Sequence, residues 1–320
     1  MKRIGYIGSK FKLKEWIFDE ISKRTDSTYT HFSDLFSGSC VMTLEALNRG
    51  YKVASNDLEA YSHIIASGLR CPYTSKLEQI INNLDTEKTQ IEGFITNTYS
   101  PKGGRMFFTE ENAIKIDTVR LLIEKLKDTV SSDEYNFLLA SLLTSADTVK
   151  NTSVVYAAFL KNFKKTALRT MMLSPLHTRR TKADLETFIG DATKFDTPTD
   201  IAYIDPPYNS RQYGANYFVL NQIITPKESR GVTGVADYNK SSFCSKREVA
   251  ASFANLVQNV NARVFVISYS SESLLTKEEM VEILSKQGRC DVVEREHKKF
   301  KAQDLVDGVS VTEYLFFVHK

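Results

Sequence analysis

Hydrophobic patterns near the start of the chain switch from strand to helix and back to strand. Residues 29–36 and 51–57 are short segments with the composition and flanking turns of strands. Between them, Val41, Leu44 and Leu47 recur at helical spacing. A strand, a helix and a strand in this order predict a βαβ unit with parallel strands.

The second half of the chain returns to this alternation. Five further runs have strand-like composition: 188–192, 201–204, 263–269, 290–294 and 311–318. Thr276 and Glu279 form the signature of a capping box that starts a helix. No helical pattern follows the final run, so we expect it to pair with its neighbours as an antiparallel edge. The chain is therefore predicted to be an α/β protein with a mostly parallel sheet.

From residue 61 to residue 175, helical patterns replace the strand patterns. Apolar residues are spaced three and four apart in 77–84 and 113–126, and Ser131 and Glu134 form another capping-box signature. We therefore predict two domains. Residues 1–60 and 176–320 form the α/β domain, and 61–175 form an inserted, mainly helical subdomain.

The tetrapeptide Asp205-Pro206-Pro207-Tyr208 follows the apolar run 201–204 and so lies where a buried strand ends. Ligands of open α/β sheets bind at such ends. The two prolines fix two φ angles and remove two N–H donors, so nearby carbonyls face outward as acceptors. An acid, a carbonyl and an aromatic ring suit a planar amine, which donates from its NH2 group and stacks on the ring. The alternative is a proline-stiffened loop with a surface acid.

Charge is distributed unevenly along a chain of 320 residues whose net charge is only +3. No acid occurs between Asp147 and Asp184, a stretch that we call the acid-free window (residues 148–183). Its cations are Lys150, Lys161, Lys164, Lys165, Arg169, Arg179, Arg180 and Lys182. Such a patch on a nearly neutral protein indicates a nucleic-acid face, and the alternative is a solvated surface that binds nothing.

Other features exclude several classes of protein. The four cysteines are scattered with no C-x-x-C pair, so we expect neither a zinc site nor a disulfide framework. No apolar run approaches the length that spans a membrane. The apolar stretch Ile4–Gly8 is too short for a signal peptide. We expect a cytoplasmic protein with no metal and no membrane partner.

The segment Asp34-Leu35-Phe36-Ser37-Gly38 is a glycine turn between a predicted strand and a predicted helix. Gly38 allows the backbone to approach a ligand closely, and the helix start offers free N–H groups to a carboxylate. Asp57 ends the next strand, 19 residues after Gly38, where an acid accepts hydrogen bonds from ribose hydroxyls. A nucleoside that carries an amino-acid carboxylate fits this pair, which points to S-adenosyl-L-methionine.

Three motifs in order resemble those of one enzyme family: Tyr6-Ile7-Gly8-Ser9-Lys10, Asp34–Gly38 and Asp205–Tyr208. They are similar to the motifs of alpha-class (D12, Dam-like) N6-adenine DNA methyltransferases, and nearby segments are closest in appearance to restriction-modification methylases. The resemblance implies a Rossmann-like S-adenosylmethionine-dependent methyltransferase fold with a mainly helical, inserted target-recognition subdomain. It also implies a prokaryotic or phage origin.

The resemblance assigns roles to residues of this chain. The catalytic residues it implies are Asp205, Pro206, Pro207, Tyr208 and Lys10. The residues it implies around the cofactor are Tyr6, Gly8, Lys10, Asp34, Phe36, Gly38, Asp57, Asp191 and Asp205, with Asp191 next to the adenine. The expected partner is double-stranded DNA, from which the target adenine is flipped out of the helix.

Further residues are candidates for DNA binding. Cations of the acid-free window supply phosphate contacts, and donors after the catalytic motif reach base edges or order that loop. The predicted DNA-binding residues are Lys161, Lys164, Lys165, Arg169, Arg179, Arg180, Arg211, Gln212 and Asn216. A cognate restriction endonuclease acting on the same site is a partner that the resemblance leaves open.

Alternative functions share much of this pattern. An RNA adenine methyltransferase has the same fold and a similar motif, and an inactive methyltransferase-like subunit could bind DNA without catalysis. A protein-glutamine methyltransferase would carry Asn at position 205, where this chain has Asp205. Methylation of duplex DNA is the function that the sequence favours.

Overall fold

The computed structural model describes residues 3–298 and 310–320, with the backbone alone at 297, 298 and 310. The chain divides into two compact units. The helical unit comprises the residues up to Gly8, Glu59–Leu185 and Tyr213–Asn239. The sheet unit comprises Ser9–Leu58, Glu186–Gln212 and the residues from Lys240 onward.

These boundaries differ from those predicted. The insertion predicted at 61–175 lies in the helical unit, but this unit also takes in the chain start, 176–185 and 213–239. Long-range hydrogen bonds explain the difference: the Gly5 amide donates to Asp147 at 2.7 Å, and the Tyr61 amide donates to Asn221 at 3.0 Å. Periodicity along the chain does not reveal such contacts. The role of the insertion in target recognition stays a prediction.

The described strands form one seven-stranded sheet. They are β1 (His31–Asp34), β2 (Lys52–Asp57), β3 (Leu185–Ile189), β4 (Thr199–Ile204), β5 (Ala262–Ser270), β6 (Arg289–Lys298) and β7 (Ser310–His319). The order is β3-β2-β1-β4-β5-β7-β6. β1 is parallel to β2 and β4, and β4 is parallel to β5. β7 is antiparallel to both β5 and β6, so the last strand lies inside the sheet and β6 forms the edge.

Helices of the sheet unit cover both faces of this sheet. The helices of the described residues are α1 (Lys14–Arg24), α2 (Val41–Asn48), α3 (Ala60–Arg70), α4 (Ser75–Asp85), α5 (Phe94–Tyr99), α6 (Glu110–Lys125), α7 (Ser132–Thr148), α8 (Tyr213–Ile224), α9 (Val249–Asn259) and α10 (Lys277–Ser285). On one face, Phe18 of α1 stacks on Phe32 of β1, with ring centroids 5.3 Å apart. On the other, Phe253 of α9 packs edge-on against Tyr269 of β5 at 5.4 Å. Burial on both faces accounts for the near-continuous apolar strands, and the predicted α/β fold is confirmed.

The helical unit is built around α3 and α7. Gly68 of α3 allows close approach, because a Cβ built there would lie 2.9 Å from the Cβ of Ala140 on α7. The capping boxes at the starts of α7 and α10 are both present, as predicted. The described residues 149–184, which include all of the acid-free window except Thr148 at the end of α7, contain neither helix nor strand. No helix within the described ranges has the length and apolar composition needed to cross a membrane.

One strand lies slightly earlier than predicted. The run 188–192 was expected to be a strand, but β3 ends at Ile189 and a short 3-10 helix, Ala192–Lys194, follows. Asp191 caps that helix by accepting from the Thr193 amide at 3.0 Å. Asp191 therefore lies in a turn beyond the strand, where its carboxylate caps the 3-10 helix by accepting from a backbone amide.

Candidate active site

The tetrapeptide Asp205–Tyr208 follows β4, which lies directly beside β1 in the sheet. The strand order reverses between β1 and β4, since β2 lies on one side of β1 and β4 on the other. A crevice opens at the carboxyl ends of strands at such a reversal. Asp34, the last residue of β1, and Asp205, the first after β4, therefore share one edge of the sheet.

A buried lysine joins the catalytic motif to a distant strand. The Lys10 Nζ atom lies 2.9 Å from Asp205 Oδ1 and 3.2 Å from Glu313 Oε1. The Tyr208 hydroxyl lies 2.7 Å from Asp205 Oδ1 and 2.9 Å from Glu313 Oε1, and it also contacts the Lys10 ammonium. Ser268 donates to Glu313 Oε1 at 2.6 Å. We call these five residues the Lys10 cluster.

The Lys10 cluster holds one ammonium group and two carboxyl groups. Burial alone would lower the pKa of Lys10, but Asp205 and Glu313 outweigh it and raise that pKa above its usual value. Burial raises the pKa of Asp205, an effect that Lys10 opposes. Burial, aided by both carboxylates, also raises the pKa of Tyr208 well above its usual value. Tyr208 therefore stays a neutral hydroxyl. The two carboxyl groups of the cluster outnumber its single ammonium group.

Glu313 is the member of the cluster that sequence reasoning missed. It lies on β7, and its residue is 3% exposed. One feature of the sequence could have identified it: Glu313 is a single acid inside the apolar run 311–318. A buried carboxylate without a partner is costly, so such an acid indicates a cation or donor nearby in the fold. Its partners are far away in sequence, so the run alone did not identify them.

Asp205 keeps part of its acceptor capacity. Both its contacts, to Lys10 and to Tyr208, are made by Oδ1, and the described residues place no donor on Oδ2. The side chain is 17% exposed. Within the described ranges, the Pro206 carbonyl accepts no hydrogen bond either. A carboxylate oxygen and a carbonyl are thus available at this edge to accept from a donor with two N–H groups.

The glycine turn after β1 is held by Asp57. The Gly38 amide donates to Asp57 Oδ2 at 2.7 Å, and Gly38 has a positive φ of 47°. A side chain at such a φ is strained, so the close turn requires glycine. Asp57 therefore shapes the turn in addition to its predicted contact with a ribose.

Asp34 is buried at the end of β1 with one unpartnered oxygen. Its Oδ2 accepts from the Thr43 amide at 3.0 Å and from the Thr43 hydroxyl at 2.7 Å. Its Oδ1 is buried and has no partner among the described atoms. Burial raises the pKa of Asp34 to about 7, with a smaller contribution from Asp205 and Asp57 and opposition from Thr43. An ammonium group, such as that of an amino acid, would satisfy Oδ1.

A small, open pocket of about 50 Å³ lies beyond the end of β1 in the sheet unit. Its lining includes Leu35, Phe36, Leu58, Gly190, Asp191, Ala192, Lys240, Ser241, Ser242 and Phe243. Phe243 packs edge-on against Phe36, with centroids 5.0 Å apart. Apolar walls with a few polar groups suit a purine ring. Phe243 was not predicted, because no motif marks its position in the sequence.

These residues fit the predicted cofactor. The pocket offers aromatic walls to an adenine, Asp57 lies at the end of β2, and the unpartnered Asp34 oxygen matches an amino-acid ammonium group. We infer this fit from the chemistry of the groups present. The individual roles of the cofactor residues stay predictions.

Comparison with known proteins identifies the family. The profile of the D12 class of N6 adenine-specific DNA methyltransferases matches residues 6–283. The chain belongs to this class. It is 65% identical to the type II methyltransferase M.CviAII of Paramecium bursaria Chlorella virus 1, over 100% of this chain and 99% of that protein. It is 36% identical to the type II methyltransferase M.NlaIII of Neisseria lactamica, over 99% of each.

Solved structures show weaker likeness. One is an S-adenosylmethionine-dependent methyltransferase from Agrobacterium tumefaciens, with 12% sequence identity and a TM-score of 0.39. The alignment covers 99% of this chain and 64% of that protein. The family membership confirms the predicted methyltransferase fold and its cofactor, S-adenosyl-L-methionine. Among the described residues, no group of His, Cys, Asp and Glu is arranged to hold a metal.

Two predicted site residues of the methyltransferase, Tyr6 and Gly8, lie in the helical unit. The Tyr6 ring stacks on the Tyr217 ring, with centroids 4.8 Å apart, and it packs at a tilted angle against the Tyr213 ring, with centroids 5.2 Å apart. Gly8 has a positive φ of 74°. Their predicted place beside the cofactor and the catalytic pocket stays a prediction, whereas Lys10 belongs to the Lys10 cluster.

The predicted phosphate-binding cations of the methyltransferase form two groups. Lys161, Lys165 and Arg169 are exposed, and the described residues place no carboxylate within 4.0 Å of them. The other three donate to backbone carbonyls: Lys164 to Thr152 at 2.5 Å, Arg179 to Leu69 and to Thr181, and Arg180 to Tyr73 at 3.0 Å. The second group is partly occupied in holding loops.

The donors after the catalytic motif also differ from one another. The Arg211 side chain is exposed. Gln212 donates to the Ser241 carbonyl at 3.1 Å and accepts from the Ser241 amide at 2.8 Å, so its amide group holds a loop. Asn216 is only 6% exposed. Of the three, Arg211 is the one placed freely enough to read a base, and all three assignments stay predictions.

Proposed function

We propose that this DNA methyltransferase transfers a methyl group to the N6 atom of an adenine flipped out of duplex DNA, with Asp205 and Pro206 gripping the exocyclic amine. One observation carries this: Asp205 Oδ2 and the Pro206 carbonyl are acceptors to which the described residues present no donor. An exocyclic amine has two protons, and each acceptor takes one.

The Lys10 cluster supports this chemistry. N6 is a poor nucleophile because its lone pair is delocalised into the ring, and two hydrogen bonds that favour a pyramidal nitrogen release it. S-adenosyl-L-methionine, when bound, supplies an electrophilic methyl group. Lys10 holds Asp205 in place and limits the cost of its burial. After transfer, Asp205 accepts the proton that N6 loses, since burial raises the pKa of this carboxyl.

Tyr208 supports the positioning of the adenine ring. Its hydroxyl is fixed within the Lys10 cluster, and its ring packs edge-on against Tyr269 at 5.6 Å. A ring held at both ends has little conformational freedom left to lose, so it is suited to stacking on a base at a defined angle.

The biological role that we propose is protection of DNA in a restriction-modification system, in the cytoplasm of a prokaryote or of a cell infected by a virus. The relatives described above are type II methyltransferases, which supports this role. A cognate endonuclease would then act on the same sequence. The intact Lys10 cluster argues against an inactive DNA-binding subunit, and the DNA-specific family profile argues against an RNA substrate.

Transfer of a labelled methyl group from S-adenosyl-L-methionine to duplex DNA, ribosomal RNA and total protein tests the proposal. We expect label in duplex DNA alone, as N6-methyladenine, at one short recurring sequence that resists an endonuclease cutting there. Asp205→Ala is the matched inactive control. Label in RNA or protein, with none in DNA, would overturn the proposed function.

A further inference from the structure

Two apolar side chains project from the acid-free window of the helical unit. Leu168 is 63% exposed and Met172 is 65% exposed. Ala167 and Met171, one position before each, are completely buried. Along this segment, two buried apolar side chains (Ala167 and Met171) are each followed by an exposed one (Leu168 and Met172). Because the buried side chains are held in the core, their neighbours point outward.

Asn112 of α6 holds this segment in place. Its amide nitrogen donates to the Ala167 carbonyl at 3.1 Å and to the Arg169 carbonyl at 2.8 Å. Its amide oxygen accepts from the Met171 amide at 2.8 Å. Asn112 is 3% exposed, so these three bonds are shielded from water. The backbone around Leu168 is anchored on both sides, and its exposure is a fixed feature of the loop.

Exposed cations flank the apolar pair along the chain. Lys161, Lys165 and Arg169 are exposed, and no described carboxylate lies within 4.0 Å of their charged groups. The sequence contains no acid between Asp147 and Asp184. Exposed apolar side chains among unpaired cations match the arrangement by which proteins insert Leu or Met between base pairs while cations hold the phosphates.

We propose that Leu168 and Met172 form a wedge that enters the stacked bases of the DNA duplex, with Lys161, Lys165 and Arg169 holding the adjacent phosphates. This inference rests on the proposed function, because it takes flipping of the target adenine as the event that the wedge assists. Flipping costs stacking and pairing energy. An apolar side chain that fills the opened step offsets part of that cost.

Two duplexes that differ in the free energy needed to flip out the target adenine test the wedge. One duplex carries a fully paired target adenine, and the other carries the same adenine opposite an abasic site. For Leu168→Ala combined with Met172→Ala, we expect kcat/KM to fall about ten- to a hundredfold on the paired duplex, and less than about threefold on the opened one. Leu168→Ile keeps the apolar bulk and should retain most of the activity.

Leu121→Ala is the matched control, since Leu121 is 40% exposed on α6 of the same unit but lies outside the acid-free window. It should leave both duplexes unaffected. Equal losses on the two duplexes, or no loss on either, would overturn the wedge. A shift in oligomeric state caused by Leu168→Ala, with DNA binding unchanged, would overturn it in favour of a protein interface. A parent enzyme that methylates neither duplex would refute the proposed function instead.

Discussion

Two buried lysines, Lys10 in the sheet unit and Lys150 in the helical unit, have contrasting surroundings. Lys10 is 4% exposed and Lys150 is 5% exposed. Lys150 lies 2.7 Å from Asp147, the only carboxylate that the described residues place within ion-pair distance of it. Lys10 lies between two carboxylates, Asp205 and Glu313. One site is balanced in charge, and the other carries an excess negative charge.

The acceptors of the two sites differ in the same way. Asp147 uses both oxygens: Oδ1 accepts from Lys150 at 2.7 Å and from Tyr156 at 3.0 Å, and Oδ2 accepts from the Gly5 amide at 2.7 Å. Asp205 makes its contacts through Oδ1, and the described residues present no donor to Oδ2. A saturated, neutral pair fixes the fold, whereas an unsaturated, charged one is suited to bind and react.

The largest expected effect is on catalysis. Asp205→Ala should lower kcat at least about a hundredfold, because removing one transition-state acceptor costs ~3–4 kcal/mol by analogy with oxyanion-hole deletions. The fold should survive, since Lys10 keeps Glu313 as its partner. Single-turnover kinetics measure the loss, and thermal melting checks the fold. Activity within tenfold of the parent would contradict the proposed mechanism.

Asp147→Ala should show the opposite pattern, a loss of stability. The substitution leaves the Lys150 ammonium buried without its carboxylate and removes the acceptor of Gly5 and Tyr156. Breaking a buried pair in this way costs about 3 kcal/mol of unfolding free energy. Urea denaturation measures it, with Asp205→Ala as the comparison. If Asp147→Ala were as stable as the parent, the contrast between the two lysines would fail.

Asp34 sharpens the comparison, because it is a buried carboxyl to which the described residues provide no cation. Burial raises the pKa of Asp34 in the folded protein to about 7, well above its value in the unfolded chain. The protonated carboxyl therefore stabilises the fold fully below the unfolded pKa, and this stability is lost as pH rises through about 7. Without cofactor, the parent should lose about 3 kcal/mol relative to Asp34→Asn between about pH 4 and pH 7, since each pKa unit corresponds to about 1.4 kcal/mol. Urea midpoints at several pH values test this, and parallel profiles would contradict it.

The smallest effect concerns the acid-free window. Lys161→Ala combined with Lys165→Ala should weaken binding to all duplex sequences alike and reduce the slope of log K against log salt by about one unit per lost phosphate contact. Lys164→Ala is the control, because its ammonium donates to the Thr152 carbonyl and should change the slope little. An unchanged slope in the double variant would place these lysines away from DNA.

Local patterns were sufficient for much of the fold. The periods of β1, α2 and β2, the capping boxes of α7 and α10, and the position of Asp205 after β4 were all visible in the sequence, because each depends on residues within a few positions. The ordered motifs also indicated the family. The unit boundaries were not predictable, since contacts such as Gly5 with Asp147 join distant segments.

The sequence by itself determined which residues end the central strands, and so where the acceptors and the glycine turn lie. Only the tertiary structure decided which groups meet them. Glu313 reaches Lys10 and Tyr208 because antiparallel pairing places it opposite Ser270 on β5, a register that no local pattern encodes. It likewise decided that Lys164 turns inward to a carbonyl while Lys165 faces solvent. Periodicity is a local property of the chain, whereas a charge acquires its role from partners brought close by folding.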